Sequence, residues 1–399
     1  MLYGKVQIIK GVDAARPMIE KALQLDPDSA EALAARGLMR LMIGEKDQAE
    51  RDLRHAIDLD QDYIPAYAWL SSLLSDLGRA PEQAAVLQEA LAIDPLNKIL
   101  TNNYASNLMS RGDAEGAKEL VQSLLRLQPE FPTLLIQLSE IQLNNGELFE
   151  AWRSATRAHE QAPENTMAIL ALAKAWIQVG AYGEAETVMK QGLTHSPGNV
   201  NIKLQYLQLL NIQKRVDEAQ ALKDNLFPED ISWLPDAMQR TYHFETGILN
   251  LVRENWPLAL THLEQAFNPA EIYLYDNDQV STLTFVTLLH RGMGNEELAE
   301  SRLQMAERVI GHARVNGIEN AEIYYLAACV LAMRGEVDRA IHALQQAYDK
   351  GARALWLMKI DGRLDAIRQE PRFVTLLQQV EDDVRTAREE IYAFTLFSG

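Results

Sequence analysis

One cysteine, Cys329, stands among 399 residues. It excludes an intrachain disulfide and a zinc cluster built on thiolates, but leaves cytoplasm and periplasm both open as compartments, since a periplasmic chain can also lack cystines. Positive charge is scarce as well: 38 Lys and Arg against 56 Asp and Glu give a formal net charge of -18. Such a field repels DNA or RNA unless a basic patch overrides it. The densest basic clusters, Lys203 to Lys214 and Arg363 to Arg372, are diluted by Gln, Asp and Glu and read as solvated helix faces. No stretch approaches the roughly twenty apolar residues needed to cross a bilayer, and the N-terminus has neither a basic n-region nor an apolar h-region. A phosphate-cradling Gly-rich loop, a nucleophile elbow and a His-Glu-x-x-His motif are all missing. The eight histidines scatter along the chain, and the acid pairs Asp382-Asp383 and Glu389-Glu390 are sequence neighbours whose side chains diverge on a helix. The expectation is a non-enzyme with no catalytic, cofactor-binding or metal-binding residues, no direct contact with nucleic acid and no membrane insertion by this segment.

What is present is a period. Gly44, Gly78, Gly112, Gly146 and Gly180 follow one another at a fixed spacing of 34 residues, and Pro27, Pro95, Pro129, Pro163 and Pro197 keep the same register with one skip at Gln61. A repeat in this size range marks a solenoid, in which each unit buries its apolar face only by stacking on its neighbours. With the first complete unit set at Ala30 to Tyr63, small residues recur at its eighth position (Gly37, Ser71, Ala105, Ser139, Ala173, with Leu207 the exception), its twentieth (Ala49, Ala117, Ala151, Ala185, Ala219, with Gln83 the exception) and, less regularly, its twenty-seventh. They fall where two helices must approach closely. Gly at the fifteenth position ends the first helix in a left-handed residue, and Pro closes the unit because it cannot continue the helix behind it.

A 34-residue helix-turn-helix with small residues at positions eight, twenty and twenty-seven and Pro at thirty-two resembles the tetratricopeptide repeat (TPR) family over Ala30 to Trp233. Upstream, Val12 to Asp26 matches a second helix whose first helix is cut short at Met1. Past Trp233 the units lengthen, starting near Arg240, Val280 and Ala321, with Asn268 to Asp278 the expected extended loop. A helical stripe of Phe373, Leu376, Leu377, Val380 and Val384 reads as a cap. The expected fold is all-α, a TPR-type helix-turn-helix solenoid coiled as a right-handed superhelix. A regular array with a truncated first repeat covers 1–233, divergent TPR-like repeats cover 234–352, and C-terminal capping helices cover 353–399.

The resemblance implies that first helices line a concave groove that binds a protein or an extended peptide. Its groove positions here hold Asn102, Asn103 and Ser106; Gln137, Glu140 and Asn144; Lys174 and Gln178; and Gln205, Gln208 and Asn211. Amides donate and accept hydrogen bonds, which suits a peptide backbone, although they equally solvate an unused face. Leu38, Met42 and Trp69 form an apolar patch nearer the N-terminus, open to a partner or to burial, and Phe244, Phe285 and Tyr325 form a row that is either groove or core. Positions that carry the cations of chaperone-tail clamps hold mostly Ala, Leu, Ser or Gln, so an acidic tail is disfavoured as ligand. Homo-oligomerisation stays open.

Two short segments resemble the edges of TPR sensor regions in bacterial winged-helix transcription regulators or class III nucleotide cyclases: Tyr3-Gly4-Lys5 with Ala22 to Pro27, and Leu364 to Phe373. They imply the sensory or regulatory part of a larger signalling or transcription-regulating protein, with an effector encoded before Met1. The alternative is a stand-alone scaffold for a cell-envelope, secretion or polysaccharide complex.

Overall fold

The computed structural model describes residues 2–226, 231–267 and 277–398, and all regular elements among them are helical. Two compact units emerge, one of residues 1–111 with 231–236, the other of residues 112–230 with 237–399. The first unit holds α1 (Leu2–Leu25), α2 (Ala30–Met42), α3 (Lys46–Leu59), α4 (Ile64–Asp76), α5 (Ala80–Ile93) and α6 (Lys98–Ser110). The second runs through α7 (Ala114–Leu127), α8 (Pro132–Asn144), α9 (Leu148–Gln161), α10 (Thr166–Gln178), α11 (Tyr182–His195), α12 (Val200–Ile212) and α13 (Val216–Leu226). It continues with α14 (Asp236–Val252), α15 (Trp256–Ala266), α16 (Asn277–Gly292), α17 (Glu296–Val315), α18 (Ala321–Met333) and α19 (Val337–Asp349). A short α20 (Leu355–Ile360), a 3-10 turn (Gly362–Ile367) and a long α21 (Pro371–Ser398) complete it.

The helix-turn-helix punctuation follows the glycine register. Gly44 and Gly180 sit at φ 84° and 72°, where L side chains are strained, and their turns end α2 and α10. The register outlasts the glycines: Lys214 (φ 55°) and Glu254 (φ 59°) adopt the same left-handed turn between α12 and α13 and between α14 and α15. Close helix approach explains the small residues. A Cβ on Gly37 would lie 2.7 Å from Leu53 Cγ, and one on Gly247 would lie 2.6 Å from Leu263 Cγ. Gln83, the exception at position twenty, is buried because Asn107 Nδ2 donates to it at 2.7 Å and to the Ala80 carbonyl at 2.8 Å.

Longer helices account for part of the lengthened period. α14 has 17 residues and α16 has 16, against 13 for α10, and α17 has 20 against 14 for α11. The expected loop at Asn268 to Asp278 falls outside the described residues over 268–276, and Asn277 and Asp278 already belong to α16. At the other end, α1 is one continuous helix rather than a stub followed by a second helix at Val12.

Within the second unit the last helices return to the middle ones. Phe373, Leu376, Val380, Val384 and Ile391 bury one stripe of α21. Farther along, Arg388 reaches the Val179 carbonyl at 3.5 Å, and Tyr392 Oη donates to Glu184 at 2.6 Å. The Tyr392 ring stacks on Trp176, and Phe394 meets Phe149 and Trp152 edge-on at 5.9 and 6.0 Å. Gly351 lies so close to the turn after α8 that a Cβ would stand 2.1 Å from the Asn144 carbonyl oxygen. The segment Leu364 to Phe373 serves this closure: Leu364, Ile367 and Phe373 are buried, and Arg368 donates to the Lys359 and Asp361 carbonyls at 2.9 and 2.7 Å.

Candidate functional site

Helices α10 and α12 each begin on an asparagine cap. Asn165 Oδ1 accepts from the Met167 and Ala168 N–H groups at 2.8 and 3.2 Å, and Asn199 Oδ1 accepts from Ile202 N–H at 3.2 Å. Such caps contribute about 1 kcal/mol each and fix where the helical faces start. Residues three or four apart then share a face, which brings Lys174 beside Gln178 and Gln205 beside Gln208. Together with Phe244 of α14 these four line a cavity of about 610 Å³, whose remaining walls include Gln279 and Thr282 of α16 and Trp356 of α20. Two smaller hollows adjoin it, one of about 400 Å³ that shares Gln205 and Gln208, the other of about 200 Å³ that shares Lys174 and Gln205 and adds Glu140. The result is one groove.

Four amides, Gln178, Gln205, Gln208 and Gln279, share its wall with the charged Lys174, Arg240 and Glu245. The Gln205 amide donates to Gln208, and Lys174 Nζ lies 3.5 Å from Glu140 Oε1, with those two side chains 45% and 63% exposed. An ion pair so open to water contributes about 0–1 kcal/mol, so both partners can turn to a ligand at little cost. Glu245 is 4% exposed at the groove wall, where its carboxylate accepts from Asn211 Nδ2 at 3.0 Å.

Several expected groove residues lie elsewhere. Asn211 is buried by that bond to Glu245, and Gln137 is buried within α8. Asn144 donates to the Glu140 carbonyl of its own helix at 2.9 Å. Phe285 and Tyr325 are core. The Arg363 guanidinium lies 4.0 Å from the centre of the Phe285 ring, and Tyr325 Oη donates to Asp361 at 2.8 Å. Asp361 and Arg363 are each 2% exposed and bonded at 2.7 Å, and Arg363 also donates to Thr284 at 2.8 Å. Burial opposes the Asp361 charge, but the charge and hydrogen bonds of Arg363 outweigh it and hold the carboxyl below its usual range. Burial also pushes the Cys329 thiol up, which keeps it in the unreactive thiol form.

Asn102, Asn103, Ser106, Leu38, Met42 and Trp69 belong to the first unit and line none of these cavities. Ser106 and Met42 are exposed, Asn102, Asn103 and Leu38 are half-buried, and Trp69 packs against the core of α2 to α5. Sequence spacing missed Gln279, Thr282 and Trp356, because the 34-residue register has lapsed before them. It also missed a contact between histidines of α14 and α15: His243 and His262 bring their Nδ1 atoms to 3.1 Å. Burial, and secondarily His262, lowers His243 to about 4. Among the described residues no group of three or more His, Cys, Asp or Glu is placed to hold a metal ion.

A family model described as tetratricopeptide repeat matches residues 11–64. Over 200 residues the chain is 26% identical to Protein CTR9 homolog of Arabidopsis thaliana, which covers 47% of this chain and 18% of that protein. Over 103 residues it is 29% identical to Small glutamine-rich tetratricopeptide repeat-containing protein 2 of Mycosarcoma maydis, covering 26% of this chain and 29% of that one. The chain thus spans less than a third of the length of either relative. Among solved structures it is similar to a tetratricopeptide repeat protein from Parabacteroides merdae ATCC 43184, with a TM-score of 0.50 at 18% identity over 70% of this chain and 99% of that one.

Proposed function

We propose that this chain, a tetratricopeptide-repeat protein, holds an extended peptide segment of a partner protein in the inner groove of its second unit. TPR proteins are in general non-catalytic scaffolds for such contacts. The observation that carries the reading is convergence: Lys174, Gln178, Gln205, Gln208 and Phe244 come from three repeats and line one cavity. Amide side chains match both the donors and the acceptors of a peptide backbone, Phe244 and Trp356 offer flat apolar surface to a side chain, and Lys174, Arg240 and Glu245 place charges in the wall. The resemblance of Leu364 to Phe373 to the edge of sensor regions supports a finer assignment, in which partner capture here regulates a larger bacterial signalling or transcription-regulating protein.

Co-purification from the source cells with mass-spectrometric identification tests the groove. Gln205→Ala combined with Gln208→Ala should lower partner recovery about tenfold while helix content stays unchanged. Undiminished recovery would overturn the assignment.

A further inference from the structure

A second cleft, of about 1,020 Å³, lies in the same unit between the start of α9 and the last turns of α21, and shares no lining residue with the inner groove. Its floor is apolar, formed by Leu148, Phe149 and Phe394. Phe394 remains 42% exposed, and Phe397, which also lines the cleft, is 90% exposed. Apolar surface displayed beside a cleft marks a contact site more than a solvated face. The rim is acidic. Glu147, Glu150 and Glu390 border the cleft; Lys118 holds Glu147 at 2.6 Å and Arg153 pairs with the half-open Glu150 at 2.5 Å, while Glu390 is exposed, and the lining cation Arg353 is held by Asp383 at 2.7 Å and lies over the Tyr348 ring at 3.8 Å.

We propose that this cleft docks a short partner segment in which an aromatic or leucine anchor is flanked by lysine or arginine. The anchor covers Phe394 and Phe397, and the flanking cations meet Glu390 and displace Arg153 from the solvent-open Glu150 pair. A second copy of the chain fits worse, because it would set one acidic rim against another in a molecule of net charge -18. An anionic membrane surface is opposed by the same charge.

The test uses the full chain and a fluorescein-labelled synthetic peptide with a Phe-Leu pair flanked by lysines, alongside a twin in which glutamates replace the lysines. Fluorescence anisotropy should show the lysine peptide binding about tenfold more tightly or better, with affinity falling as salt rises. Glu390→Lys with Phe397→Ala, both at exposed positions, should weaken it about tenfold without lowering the melting temperature. Gln205→Ala with Gln208→Ala should leave it unchanged, so failure of this cleft and failure of the inner groove are told apart. Absence of lysine-peptide binding, equal binding of the twins, or loss on the groove variant alone overturns the proposal. So does an exposed apolar surface spent on self-association in ultracentrifugation, or on phosphatidylserine vesicles, that the cleft variant abolishes.

Discussion

Lys214 and Glu254 occupy left-handed turns that glycine occupies elsewhere in the array, at φ 55° and 59°. A Cβ in that conformation costs about 1–2 kcal/mol, of which glycine returns about 0.5–1 kcal/mol through its looser unfolded chain. Lys214→Gly and Glu254→Gly are therefore expected to stabilise the protein by up to about 1 kcal/mol each in chemical denaturation. Histidine chemistry sets an acid limit. Burial, with His262 beside it, lowers His243 from 6.5 to about 4, and burial lowers His262 as well. Between those pH values the unfolded chain binds more protons than the folded one. Stability is thus fully present above pH 6.5 and is lost as pH falls toward 4. The loss should reach about 1–2 kcal/mol once solvent screening is discounted, and His243→Gln should flatten the slope in melts taken across that range. The sequence displayed both histidines but not their meeting, since that depends on how α14 lies on α15.

Helices and turns differ in what their glycines must satisfy. At Gly44 (φ 84°) an added Cβ meets nothing within 4 Å, whereas at Gly351 (φ 104°) it would overlap the Asn144 carbonyl. Gly44→Ala should then cost only the conformational strain of about 1–2 kcal/mol, and Gly351→Ala that strain plus displacement of packed backbone, roughly 2–5 kcal/mol in all. Urea titration of the two variants checks the contrast. Gly44 was legible because its constraint is local and recurs with the period. Gly351 was not, because the turn that crowds it follows α8, far away in sequence. The same distinction separates the groove residues: Gln205 and Gln208 follow from position in the repeat, but Tyr325 and Phe285, at equivalent positions, are covered by the Asp361–Arg363 pair that the C-terminal segment inserts.

Across the whole molecule, periodicity foretold helix order, turn positions and the small residues at helix crossings. It could not foretell that α21 comes back to α9, α10 and α11, since no repeat rule couples positions so far apart. Linear arrays unfold piecemeal because each unit touches only its neighbours. The second unit has an added long-range tie, so it should unfold more cooperatively than an open array. Tyr392→Ala with Phe394→Ala should broaden its thermal transition and speed amide exchange in the turn after α10, where an unchanged calorimetric profile would count against the tie. The same tie orders events during synthesis. Tyr392 trails its partner Glu184 by 208 residues, so at 5–20 residues per second roughly 10–40 s elapse before the two can meet on the ribosome. Through that interval Trp176 and Phe149 lack the Tyr392 and Phe394 rings that cover them in the finished fold, and of the neighbouring rings only Trp152 packs against both.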